Sequence, residues 1–165
     1  NRSTGGGARQ TAVFADLVGY TTLSERLGPM ELAELIGAFE AIAYDTVAEH
    51  GSRLVKTIGD EVLFAATDPA TAVATTIDLL ARAVDNGLPP LRAGMDHGPV
   101  IWFEGDLFGP TVNRAARLVP EAAPGALVAT VAVRDATPGQ RWQAVGERDL
   151  KGVGRLDVYA LPRGG

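Results

Sequence analysis

The sequence predicts an α+β fold, a mostly antiparallel sheet with helices packed on one face. Three observations predict it. Short β-prone runs come in pairs around tight turns, the sharpest pair being Leu54 to Ile58 and Val62 to Ala66 on either side of Gly59-Asp60. Two longer stretches carry apolar residues at spacings of three and four, between helix-starting and helix-stopping residues. The elements run strand, helices, hairpin, helix, hairpin, helix, strands, with no internal repeat.

Residues 1 to 9, with Gly5-Gly6-Gly7, have the composition of a flexible tail, which leaves 10–165 as one domain. Thr11 to Asp16 (TAVFAD) is a short apolar strand ending on an acid, and Leu17-Val18-Gly19-Tyr20-Thr21 turns the chain into a helix start. Pro29 opens a second helix at its first position, with Leu32, Leu35, Ile36, Phe39, Ile42, Ala43 and Val47 as the inward stripe and Gly51 as the stop. The hairpin follows. In its first strand Lys56 shares parity with Leu54 and Ile58, which puts a cation on a face that otherwise reads as buried. Asp68-Pro69 caps a helix with Val73, Ala74, Ile77, Leu80, Ala81 and Val84 inward and Gly87 at its end. Leu91 to Met95 and Val100 to Phe103 are two further strands with His97 in the turn between them. Gly105 to Pro110 then leads into a helix from Thr111 to about Pro120. Ala126 to Thr130 is a strand, and Trp142 to Gly146 and Asp157 to Leu161 are edge strands around the loop Leu150 to Arg155.

At 165 residues, with 46% hydrophobic and 21% charged residues, the composition is that of one ordinary globular domain. No apolar run approaches the ~20 residues that span a bilayer, and no signal peptide is present, so no membrane contact and a cytoplasmic setting are expected. The absence of cysteine excludes disulfides and cysteine-based zinc sites. A net charge of −5 argues against a nucleic-acid partner, so an anionic ligand would need the few basic residues gathered at one place. A start at Asn1 rather than Met points to a domain of something longer, with any regulatory module outside this chain.

Chemistry is concentrated at a few positions. Asp16 ends a strand and Asp60 sits at a hairpin tip; neighbouring strand ends lie ~4.8 Å apart, close enough for two carboxylates to share a cation. Oxygen-only ligands with open positions suit Mg²⁺ or Mn²⁺, although plain turn chemistry accounts for an aspartate at position 60 equally well. Asn113 and Arg117, four apart on one helix, share a face beside the core stripe of Val112, Ala115, Ala116 and Val119. A solvated polar face has the same spacing. Arg92 lies within a strand, and Lys151 lies in the glycine-containing loop Leu150-Lys151-Gly152-Val153-Gly154. There is no P-loop, dinucleotide fingerprint, zinc-protease motif or nucleophile elbow.

Five stretches, in this order, resemble the catalytic domain of class III nucleotidyl cyclases, a ferredoxin-like, palm-type fold. They are Phe14-Ala15-Asp16-Leu17-Val18-Gly19-Tyr20-Thr21, Lys56-Thr57-Ile58-Gly59-Asp60, Leu91-Arg92-Ala93-Gly94, Asp106 to Arg117 (DLFGPTVNRAAR) and Leu150-Lys151-Gly152. The resemblance implies that Asp16 and Asp60, with the Leu17 carbonyl, hold two Mg²⁺ or Mn²⁺ ions. It implies that Lys56 and Asp106 read adenine, that Asn113 and Arg117 act on the transition state, and that Arg92 and Lys151 take the β- and γ-phosphates. Tyr20 and Thr21 fall beside the substrate in the same motif. ATP as substrate and a homodimer with shared sites follow from the same resemblance. A guanylate or relaxed-specificity cyclase, and a nucleotide-binding regulatory domain with little turnover, are the alternatives. Two stretches depart from the family pattern: the one between Gly98 and Asp106 is short, and Met95-Asp96-His97-Gly98 replaces a commoner histidine-serine/threonine-glycine run. Neither holds a residue with an implied role, so both bear on dimer affinity rather than chemistry.

Overall fold

The computed structural model describes residues 7–162. The TAVFAD run forms a strand, but β1 is longer, Gly7–Leu17. Its first residues, expected in the tail, pair with a later strand, Gly7 opposite Ile101 and Arg9 opposite Pro99. A partner strand outweighs the low strand propensity of glycine there. The remainder of the expected tail, residues 1–6, lies outside the described residues.

Two helices follow, α1 (Tyr20–Arg26) and α2 (Pro29–Glu49), the second entered through Pro29 with Glu31 Oε1 accepting from the Gly28 N–H at 3.1 Å. The expected hairpin is β2 (Arg53–Ile58) and β3 (Glu61–Ala66), turning on Gly59-Asp60 with Gly59 at φ 58°. Asp68 caps α3 (Pro69–Asp85) by accepting from the Thr71 N–H at 2.9 Å. Then comes β4 (Leu91–Phe103), one strand where two were expected, with His97 inside it rather than in a turn. Partners along all of β1 hold the ladder through Gly98-Pro99, so a local turn signal loses to long-range pairing. β5 (Asp106–Phe108), α4 (Pro110–Leu118), a 3₁₀ turn (Val119–Glu121), β6 (Leu127–Ala129), α5 (Val131–Ala136), β7 (Gln143–Leu150) and β8 (Gly154–Leu161) complete the chain. The short β5 and α5 have too few residues to show a period. No helix of the described residues is long and apolar enough to cross a membrane.

The sheet order is β2-β3-β1-β4-β6-β8-β7, with β5 added beside β4; the β4–β6 pair is parallel and the others antiparallel. Of the last hairpin only β7 is an edge strand, because β8 sits between β6 and β7.

Helices cover both faces, not one. On the first, Phe39 and Val47 of α2, Val73 and Leu79 of α3 and Val133 of α5 meet Val13, Phe64, Met95 and Leu127 of the sheet. On the second, α4 sets Val112 and Ala115 against Phe14, Leu63 and Val100, and Leu118 against Val128 and Val158. Alternation along each strand separates the two faces, Val13 from Phe14 and Leu63 from Phe64. Gly94 makes the second layer: a Cβ there would lie 2.7 Å from the Ala115 carbonyl oxygen and 2.8 Å from the Val119 nitrogen. The buried stripe of α3 is also rotated from the expected one. Ala72, Thr75, Thr76, Leu79 and Ala83 are buried while Ile77 and Val84 are exposed. Thr75 and Thr76 donate their hydroxyls back to the Thr71 and Ala72 carbonyls, which lets them pack like apolar residues.

The contact at Gly94 has a measurable consequence. Gly94→Ala should lose about 2 kcal/mol or more in urea unfolding, because backbone atoms of α4 must move aside. Gly37→Ala, in α2 with nothing within 4 Å, should instead gain up to ~1 kcal/mol from helix propensity.

Candidate active site

The end of β1 and the tip of the β2–β3 hairpin meet, the Leu17 N–H donating to the Asp60 carbonyl at 3.3 Å. Cross-strand register then puts Glu61 on one side of Asp16 and Arg92 on the other. Arg92 Nε donates to Asp16 Oδ1 at 2.9 Å, and a second guanidinium nitrogen lies 3.5 Å from Oδ2. Burial chiefly, and the neighbouring Asp16 charge next, push the Asp60 carboxyl above its ordinary range. The same two causes raise Glu61, with Asp60 adding to them. Glu61 was not singled out from sequence, although its place opposite Asp16 follows once β1 is paired with β3.

These donors suit one kind of ion. Among the described residues no group of three or more His, Cys, Asp and Glu side chains is gathered to hold a metal. Two carboxylates that repel each other, with water and substrate phosphate filling the other positions, are what Mg²⁺ or Mn²⁺ accepts. The residues present fit such an ion and not an all-protein cage. Leu17 is buried, the Tyr20 ring packs against the core, and Thr21 is exposed.

Lys56 departs from its expected parity. The β2–β3 register slips between Leu54 and Lys56, so that Leu54 opposes Phe64 while Lys56 opposes Leu63. A bulge of this kind adds one residue and reverses the alternation beyond it. Lys56 therefore lies on the α4 face, opposite Leu54. The β4–β5 hairpin reaches over that face, with Arg53 stacked 4.3 Å from the Trp102 ring centroid, and Lys56 Nζ donates to Asp106 Oδ2 at 3.0 Å. The Leu107 N–H donates to Asp106 Oδ1 at 2.7 Å; that bond first, and Lys56 second, hold the Asp106 carboxyl below its ordinary range. One of the three ammonium donors is used, which leaves two for a ligand.

Asn113 and Arg117 are exposed on one face of α4, as their spacing predicts. With Ala116 and with Lys151, Gly152 and Val153 of the β7–β8 turn they line a cavity of about 460 Å³. Its walls hold none of Asp16, Asp60, Arg92, Lys56 and Asp106. The predicted residues thus form three groups: an acidic pair with Arg92, a Lys56–Asp106 pair, and an Asn113–Arg117–Lys151 cavity. A larger groove of about 820 Å³ beside Ile77, Leu80 and Val84 contains none of them.

The chain is similar to known proteins along nearly its whole length. Residues 8–163 match the family model described as the adenylate and guanylate cyclase catalytic domain, and the chain belongs to that family. It is 48% identical over 126 residues to an adenylate cyclase of Streptomyces coelicolor, a match covering 75% of this chain and 33% of that protein. It is 38% identical over 167 residues to a pH-sensitive adenylate cyclase of Mycobacterium tuberculosis, covering 96% of this chain and 42% of that one. The chain therefore spans about a third to two-fifths of the length of these relatives. In fold it is similar to the adenylyl cyclase CyaB of P. aeruginosa, with a TM-score of 0.84, 19% identity and 94% of each chain covered. It is equally similar to a rhodopsin-guanylyl cyclase catalytic core, with a TM-score of 0.86, 22% identity and 96% and 98% covered.

A raised carboxyl in the folded state means that ionisation there opposes folding. The penalty is absent below the ordinary aspartate pKa and complete above the raised folded value. Asp60→Asn removes it. In the presence of a chelator the Asn variant should melt higher than the parent at pH 7, and the difference should vanish as the pH is lowered through that window. Thermal melts at a series of pH values measure it.

Proposed function

We propose that the chain is the catalytic domain of an adenylate cyclase, converting ATP to cyclic AMP and pyrophosphate. The observation that carries this is the Lys56–Asp106 pair at 3.0 Å. It presents a donor and an acceptor side by side, and adenine offers the complement, an acceptor at N1 and a donor at the N6 amine. Guanine reverses both. The adenylate cyclase names of the S. coelicolor and M. tuberculosis relatives support the same choice.

The reaction is an in-line attack of the ribose 3′-hydroxyl on the α-phosphorus, with pyrophosphate leaving. Asn113 orients the ribose. Arg117 meets the charge that develops on the α-phosphate. Arg92 and Lys151 bind the β- and γ-phosphates, and Lys56 and Asp106 fix the base. Asp16 and Asp60, with the Leu17 carbonyl, hold two Mg²⁺ or Mn²⁺ ions, which when bound acidify the attacking hydroxyl and offset charge on the leaving oxygen. Within one chain the acidic group and the Asn113–Arg117–Lys151 cavity are separate sets, and a two-fold homodimer supplies each active site with one set from each copy.

The direct test is steady-state turnover on ATP and on GTP with Mn²⁺, following pyrophosphate and cyclic nucleotide together. ATP should be preferred about tenfold or more in kcat/KM, since a mismatched base edge costs ~1–3 kcal/mol. Equal efficiencies would give the relaxed-specificity reading. No turnover of either nucleotide would leave a binding domain.

Subunit sharing is tested by mixing two inactive variants, Asp60→Ala and Arg117→Ala. After exchange about half the dimers are mixed, and each carries one site with both defects and one with neither. About a quarter of the parent activity should return. A mixture that stays inactive despite demonstrated exchange refutes the shared site.

A further inference from the structure

Among the described residues Asp96 is the one acidic side chain in the buried polar set, 2% exposed, and it lies in β4 beneath α4. Its carboxylate is fully engaged. Arg114 Nε donates to Oδ2 at 2.6 Å and the Thr130 hydroxyl donates to Oδ1 at 2.5 Å. Arg114 also reaches Thr111 Oγ1 at 3.5 Å, and that hydroxyl donates to the Pro99 carbonyl at 2.8 Å. One chain of bonds therefore ties α4 to β4 and to the start of α5.

Arg114 is the neighbour of Asn113 and precedes Arg117 by three. At 100° per residue its side chain leaves the helix about 60° from Arg117 and about 100° from Asn113, at the border between buried and exposed surface. The helix itself is short, nine residues, and its N-terminal cap Gly109 offers no side-chain hydrogen bond. Its apolar contacts with the sheet set its depth, and the Asp96–Arg114 bond adds a directed contact that resists rotation about its axis. A roll of about 20° moves an atom ~6 Å from the axis by about 2 Å. Misplacement by ~1 Å is enough to cost about a hundredfold in rate.

We propose that Asp96, acting through Arg114, is a positioning residue that fixes the roll of α4 and so aims Asn113 and Arg117 at the substrate. This rests on the cyclase reading above. On that reading the Met95-Asp96-His97-Gly98 segment, expected to bear on dimer affinity, bears on the chemistry as well.

Removing Arg114 alone strands the buried Asp96 charge, and removing Asp96 alone frees the half-exposed Arg114 to turn to solvent, so the informative variant replaces both. Asp96→Leu with Arg114→Met takes out the charges together and should recover thermal stability lost by Arg114→Met alone. A directed guanidinium is not restored by an apolar pair. The double variant should therefore keep kcat about tenfold or more below the parent, with KM for ATP within about twofold, because the base and phosphate groups lie on other elements. Backbone amide exchange should be faster in residues 110–118 and unchanged in α2 and α3. A double variant with parental kcat and stability would show a purely structural pair and overturn the proposal, as would unchanged exchange in 110–118. If the double variant fails to fold, Asp96→Asn, which keeps the shape and removes the charge, is read by the same three measurements with the same outcomes. Should the parent make no cyclic nucleotide, the functional reading fails separately, and the exchange arm alone decides whether Asp96 holds α4.

Discussion

Everything on the catalytic face depends on the absence of one side chain. At Gly94 the backbone of β4 is bare, and the last turn of α4 lies so close that even a methyl group would collide with the Ala115 carbonyl oxygen. That approach sets the depth of α4 on the sheet. Asn113, Arg117 and the Asp96–Arg114 bond take their heights from it. The opposite face, covered by α2, α3 and α5, holds the largest apolar cluster and none of the chemistry. Stability and function are thus divided between two sides of one sheet, with β1 and β4 serving both.

In a chain of net charge −5 the basic residues of the candidate site are local exceptions to the overall field. Arg92 is placed among the carboxylates, where it neutralises Asp16. Lys56 is held by Asp106, and Arg117 and Lys151 share a cavity wall. Burial first and the Asp16 charge next raise the carboxyls of Asp60 and Glu61, and the nearby cations offset this only in part.

What was legible in the sequence was local. The Gly59-Asp60 turn, the Pro29 and Asp68 helix starts and the shared face of Asn113 and Arg117 each follow from chain geometry over a few residues. The three groups of site residues could be named because family motifs carry them, but their contacts could not. The Asp16–Arg92 and Lys56–Asp106 pairs join positions 76 and 50 apart. Threonines that bond to their own helix hid the true stripe of α3, since periodicity counts them as polar. Asp96 was passed over because nothing local distinguishes a buried, fully bonded carboxylate from an exposed one. The single slip in β2 reversed the face assigned to Lys56, and no property of Leu54-Val55-Lys56 announces it.

That slip separates two kinds of sequence change. Because Lys56 and Leu54 face opposite sides, residue 56 can be exchanged while the packing of Leu54 against the core stays as it is. A change in length is another matter. Losing Val55 itself would remove the extra residue and leave Leu54 opposite Phe64 and Lys56 opposite Leu63, whereas a residue added or lost elsewhere in the strand would shift the pairing on one side of it and turn those side chains to the other face. Substitution at position 56 is therefore tolerated by the packing, while a change in length is tolerated only at the slip.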